Sequence, residues 1–356
     1  MVICLAPGGQ TTTIGTVPSG QLFVGTAEGL RGFQRSDGHW TATNTSIAGE
    51  HISALAFEPA SGTLFAGTYD AGLLASPDLG QSWESRGNGL PFDRVFTVHT
   101  QQRRNGIRVY AGLEPAHLFY SDDLGTSWTE LPTLRNVPNV ERWRFPGPPG
   151  IGHVKNLVFD PRSDATIYAS IEVGGLLKST DDGATWREMH GIDDDVHRTL
   201  VCPSNPDRVY ISGLEGICVS DNGGETWESL TDRQFRIGYP DALLMHPRDE
   251  ALMFAGGSRT SPGGWRTTHD ADSRVMRTRD GGRSWDELGN GLPDHIVGNV
   301  EAMALDVWDG GYAIFAATTD GDVFTSADEG ESWQHLAKGL PAISKVNHYA
   351  ALGRAS

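Results

Sequence analysis

Residues 76–83 read SPDLGQSW, and the same pattern returns five times: SDDLGTSW from Ser121, STDDGATW from Ser179, SDNGGETW from Ser220, TRDGGRSW from Thr278 and SADEGESW from Ser326. A shortened form, RSDGHW, ends at Trp40. The six full copies end at Trp83, Trp128, Trp186, Trp227, Trp285 and Trp333, spaced 45, 58, 41, 58 and 48 residues apart. Around Trp83 each unit holds four short runs: ISALAF is apolar throughout, TLFAGT and GLLAS follow between glycine-rich turns, and SWESR is polar. Short β-type runs punctuated this way indicate an all-β chain. Seven four-stranded units of forty to sixty residues indicate a seven-bladed β-propeller, because a lone four-stranded sheet cannot bury both faces but seven around an axis can. The whole chain, 1–356, is then a single domain.

The ends bear on ring closure. QLFVGTAEGLRGFQRSDGHW supplies three outer strands of a first blade, and AISKVNHYAAL near the C-terminus resembles an innermost strand with no repeat after it. The expectation is that the C-terminal strand closes blade 1, with TTTIGTV (residues 11–17) as the competing candidate.

The boxes resemble the Asp-box, or BNR, repeat S/T-x-D-x-G-x-S/T-W found in sialidases, sortilin-type propellers, xyloglucanases and photosystem II assembly factors. The resemblance spans nearly the whole chain, with Asn222 replacing Asp in the fifth box. It implies a scaffold rather than a chemistry. Within the box Asp78 is suited to accept backbone N–H groups, Gly80 to take a left-handed conformation, and Trp83 to wedge between sheets. The resemblance also implies that this turn lies on the face opposite the functional mouth. A sialidase is disfavoured: RIGYP at Arg236 does not match the family's Arg-Ile-Pro element in position.

Net charge is −17, which argues against nucleic acid and anionic membranes as partners. No apolar run is long enough to span a membrane. Cys4, Cys202 and Cys218 show no metal-type spacing, and so sparse and odd a set fits a cytoplasmic protein.

Chemistry is therefore sought at the mouth built from the starts of the inner strands. There EHISALAF, GHVKNLVF, DVHRTLV and VNHYAAL place His51, His153, His197 and His348, and the other units place Asp93, Asp241 and Glu301. Imidazoles at equivalent positions around an axis suggest a divalent transition metal such as iron, copper, zinc or manganese, with carboxylates beside it. The loops between second and third strands place Glu114 (with His117 nearby), Glu172 and Glu215 as acid–base candidates, with Tyr69 in register. Insertions at 131–152, 190–196 and 257–275 fall on the same face. They carry Arg142, Trp143, Arg144, Trp265, Arg266 and His269, suited to clamp a substrate. Arg142, Trp143 and Trp265, with Tyr69, Asp241 and Glu301, are the substrate-binding candidates. The leading expectation is a metal-dependent propeller enzyme acting on a small molecule. The alternatives are a non-catalytic binding or assembly propeller and an Asp-box glycoside hydrolase.

Overall fold

In a computed structural model, which describes residues 1–147, 149–231 and 234–352, the chain forms seven sheets, each an antiparallel ladder of three or four strands in sequence order. Blade 2 shows the pattern: inner strand Ile52–Glu58, then Thr63–Thr68, Leu73–Ser76 and the two-residue edge Glu84–Ser85. The buried apolar side chains divide into seven main clusters, one for each interface between neighbouring blades. Both faces of every blade are thus covered, which is why the inner strands read as mainly apolar runs.

Each box joins the third strand of its blade to the fourth. Asp78 accepts from the Ser82 N–H at 2.8 Å, the Gln81 N–H at 3.1 Å, and the hydroxyls of Ser82 and Ser76. Gly80 has φ +83°, as the turn requires. Asn222 keeps the same geometry: its Oδ1 accepts from Thr226 N–H at 2.9 Å, while its Nδ2 donates to the Thr226 hydroxyl. The boxes are framework.

Ring closure differs from both sequence expectations. The inner strand of blade 1 is Val2–Leu5, and it runs parallel to Gln21–Thr26. Val2 and Cys4 face the blade 2 cluster, whereas Ile3 and Leu5 face the blade 7 cluster. Strand alternation therefore buries both sides of the VICL run. After Leu5 the chain turns back through the centre of the ring. Gly8–Gly9 pairs in parallel with Ala54–Leu55 of blade 2, and Thr12–Ile14 pairs in parallel with Leu305–Val307 of blade 7. The TTTIGTV segment is thus a strand on the inside of blade 7, not of blade 1. The AISKVNHYAAL stretch is not a strand. Its first part crosses the upper face as a buried loop, and Asn347–Leu352 is a short 3-10 helix. With the inner position of blade 1 filled by four apolar residues, this stretch, which brings Ser344 and Lys345, is left to lie over the mouth.

The central segment needs its glycines. A Cβ on Gly8 would lie 2.2 Å from the carbonyl oxygen of Phe96, and one on Gly9 (φ +87°) 2.1 Å from that of Leu55. The protein's own backbone thus packs tightly along the inside of blades 2 and 7. Among the described residues no helix is long and apolar enough to cross a membrane.

Candidate functional site

Six inner strands carry a register break after their first turn-side residues, at Ile52/Ala54, Val95/Thr97, Val154/Asn156, Val196/Arg198, Pro240/Ala242 and Val300/Ala302. The skipped residues are Ser53, Phe96, Lys155, His197, Asp241 and Glu301. Bulges re-aim side chains, and here they set the composition of the mouth. His51 and His153 lie two positions before the bulge of their strands, so they are not equivalent to His197.

The histidines accordingly do different things. His51 lies with its Nε2 2.5 Å from the carbonyl oxygen of Ser344 and stacks on Tyr69. His153 is fully buried, stacks on Phe96 at 3.7 Å between centroids, and lies 3.6 Å from both Glu114 and Glu172. His197 is fully buried, with Nδ1 2.9 Å from the Pro240 carbonyl and Nε2 3.3 Å from Asp195. The side chain of His348 lies outside the described residues.

Beneath the mouth is a buried ionic network. Lys155 Nζ is 2.6 Å from Glu172, and Lys345 Nζ is 3.4 Å from Glu172 and 3.2 Å from Asp241. Asp241 accepts from Asn299 Nδ2 at 2.6 Å. Glu301 accepts from the Lys345 backbone N–H at 2.9 Å and from the Ser344 hydroxyl at 3.0 Å. Arg198 donates to the carbonyl of Pro7 and so anchors the central segment. Burial pushes the Glu172 carboxyl up, but the two ammonium groups overcome it and hold the group well below the carboxylate range. Burial and the neighbouring Lys345 charge lower Lys155, against the pull of Glu172. Burial also works against the Lys345 ammonium, yet Asp241, Glu172 and Glu301 raise it above its ordinary value. Glu114 is tied to Arg94 at 2.5 Å, and the Arg94 guanidinium lies 4.5 Å over the Tyr69 ring.

Above the network is a cavity of about 320 Å³. Its walls come from Tyr69, Tyr239, Leu214 and Val346, from Phe145–Gly147 of the first insertion, and from Ser261–Gly263 and Arg266 of the third. Asp195, from the second insertion, is the acidic residue on its surface. The three insertions do converge on this mouth. Tyr69 is in the wall, and Glu114, Glu172, Asp241 and Glu301 lie in the buried network. Trp265 is fully buried and donates to the Thr260 carbonyl at 2.7 Å, so it anchors its loop. Trp143 packs on the cluster between blades 3 and 4. Arg142, Glu215 and Asp93 are exposed and take no part in the network.

Sequence reasoning missed Asp195, Tyr239, Lys155, Lys345 and Arg198 as site residues. The lysines and Arg198 had a signal: single cations inside the apolar runs HVKNLVF, AISKV and VHRTLV.

Glu172, Asp195 and His197 have ligand atoms within 4.8 Å of one another and are the set that would hold a metal. The fit is poor, because both oxygens of Glu172 already face ammonium groups that would repel a divalent cation. The Asp195–His197 pair has a different capacity. The Pro240 carbonyl assigns the proton to His197 Nδ1. Nε2 then faces an Asp195 carboxylate oxygen at 3.3 Å. Burial raises the Asp195 carboxyl, but the charge of His197 and its hydrogen bond reverse this and lower it overall.

Comparison with known proteins agrees with the fold. A family model described as "Sortilin, neurotensin receptor 3" matches residues 174–302. No curated protein sequence matches the chain. The chain is similar to the GH74 xyloglucanase of Xanthomonas campestris (18% identity, TM-score 0.68, 94% of this chain and 55% of that one). It is also similar to the GH74 enzyme of Niastella koreensis (18%, TM-score 0.63, 94% and 55%). A third similar structure is YCF48 bound to D1 peptide (15%, TM-score 0.58, 90% and 94%). The chain thus spans about half the length of the two GH74 proteins. Repeats, blade count and these likenesses converge: the chain is a seven-bladed β-propeller of the Asp-box (BNR) type.

Proposed function

We propose that this propeller is an enzyme for a small molecule, bound in the upper cavity and handled by proton transfer at the Asp195–His197 pair. One observation carries the reading: a carboxylate oxygen lies 3.3 Å from a fully buried imidazole nitrogen beside a preformed cavity, and that carboxylate lines it. A carboxyl displaced from its ordinary range, as Asp195 is, beside an imidazole in a cleft is the physical mark of a reactive site. The network of Glu172, Lys155, Lys345 and Asp241 lies behind the pair, where its fixed charges hold Asp195 and His197 in place. Tyr239 adds a wall: its ring lies 4.3 Å from His197 and its hydroxyl 3.4 Å from Asp195.

The test uses the purified chain incubated with a small-metabolite extract and followed by mass spectrometry. At least one species should be consumed by the wild type and left intact by Asp195→Asn. A chelator arm asks whether a metal at Glu172, Asp195 and His197 takes part, and full turnover with chelator is expected. No consumption by the wild type, or equal consumption by Asp195→Asn, would overturn the proposal.

A binding propeller without catalysis is the second reading, favoured by near-complete mutual coverage with the peptide-bound YCF48 structure. It predicts a stoichiometric protein partner that Asp195→Asn still binds.

A further inference from the structure

We infer that the upper cavity is built for an organic anion: a carboxylate or phosphate group on a compact apolar or aromatic body, with the acid group held by Arg266. The inference rests on the proposed use of this cavity and adds the class of its ligand.

The cations on this face meet different fates: Arg142 and Arg144 are exposed and do not line the cavity. Arg94 is neutralised by Glu114. Arg274 and Arg259 both lie against Asp272, at 2.7 and 3.5 Å. Arg266 differs from them. It lies on the cavity surface, it is exposed, and among the described residues its guanidinium has no carboxylate or carbonyl partner. In a chain of net charge −17, acidic residues to pair with are abundant. An unpaired guanidinium at a cavity rim is then a specific feature, and its fork of donors matches carboxylate and phosphate oxygens.

The residue is also held in position. The helix Pro262–Thr268 that carries it is pinned by Trp265, which is fully buried against Ala271 and Leu352. Arg266 is therefore presented from a fixed backbone, which reduces the entropy lost on binding.

The rest of the cavity defines the body of the ligand. Phe145, Tyr69 and Tyr239 supply rings, and Leu214 and Val346 add aliphatic surface. Tyr69 is itself fixed between Arg94 above and Phe96 beside it. Asp195, on the floor, would repel a second acid group, so a monoanion oriented with its acid toward Arg266 fits and a dianion with two separated acids does not. This orientation puts the apolar body between the clamp and the Asp195–His197 pair. A neutral polysaccharide chain would make no use of Arg266.

The test pairs each anion with a neutral isostere: phenylacetate with phenylacetamide, and phenyl phosphate with phenyl methanesulfonate. Binding to the full chain is measured by calorimetry and by thermal shift. The anion of each pair should bind at least roughly tenfold tighter, as one charge-assisted hydrogen-bonded pair provides. Arg266→Gln should abolish that preference while leaving the melting temperature of the free protein unchanged, since the side chain is exposed and unpaired. Three results would each overturn the inference: equal binding of both members of a pair, a preference that survives Arg266→Gln, or no binding by any anion tested. The two proposals fail separately. Turnover lost in Asp195→Asn but unchanged in Arg266→Gln would leave the catalytic site standing and remove the anion clamp. An anion preference that depends on Arg266, with no turnover of any metabolite, would do the reverse.

Discussion

Replacing Lys345 by Met removes one ammonium from the buried network and leaves its partners behind. In the native chain this side chain sits 3.2 Å from Asp241 and 3.4 Å from Glu172, with only 3% of the residue exposed. Breaking a buried ion pair from one side costs about 3–5 kcal/mol, because the remaining charge stays desolvated and uncompensated. Lys155 offsets part of that loss, lying 2.6 Å from Glu172 and 3.8 Å from Asp241. The expected destabilisation is therefore near the lower end, about 3 kcal/mol. A domain of this size has an unfolding entropy of roughly 0.7 kcal/mol per degree, so the melting temperature should fall by about 4 °C. The pH dependence gives a sharper check. The Lys345 pKa is raised in the folded state, so its contribution is complete below 10.5 and is lost only as pH rises through the higher folded value. The Glu172 pKa is lowered, so its contribution is complete above 4.5 and is lost as pH falls through the folded value. Between those limits the contributions of Lys345 and Glu172 are each constant. In Lys345→Met an under-compensated carboxylate takes up a proton more easily, so the destabilisation should be smaller at pH 5 than at pH 8. Equilibrium denaturation at both pH values measures this. A loss below about 1 kcal/mol, or one equal at the two pH values, would refute the view that these charges compensate one another.

Two further predictions concern the framework. Gly9→Ala should destabilise the chain by about 1–3 kcal/mol or more, because the residue is left-handed and its new Cβ would press on the Leu55 carbonyl; chemical denaturation reads the change. Cys4 and Cys202 should resist alkylation at pH 8 in the native protein and react once it unfolds, since burial pushes both thiols up to about 12. Mass spectrometry after iodoacetamide treatment, with and without denaturant, checks this.

Much of the architecture was written in local sequence. The box repeats because a turn of this shape needs an acceptor at Asp78, a left-handed glycine at Gly80 and a ring at Trp83 to seat it. All of these are short-range demands that a reader of eight residues can recognise. Apolar runs bounded by glycine announced the strands, and counting tryptophans gave seven blades. The shared face of the three insertions also followed, since strand count alone sets which end of a blade a loop leaves from.

Only the tertiary structure decided how the ring closes and what occupies its mouth. VICL and AISKV are both plausible inner strands by composition. The choice turns on Val2–Leu5 filling two interblade clusters at once, on blades 2 and 7, which no local pattern encodes. The four histidines looked equivalent in an alignment on apolar runs, yet a one-residue bulge aims His197, Lys155 and Asp241 where a regular strand would not. That bulge is visible only in the pairing with the next strand. Asp195 and His197 come from the second insertion and the strand it leads into, and Arg266 from the third insertion, some seventy residues further along the chain. What makes them a site is a closed ring that brings their loops to one end, and charges whose meaning depends on which partners folding places beside them.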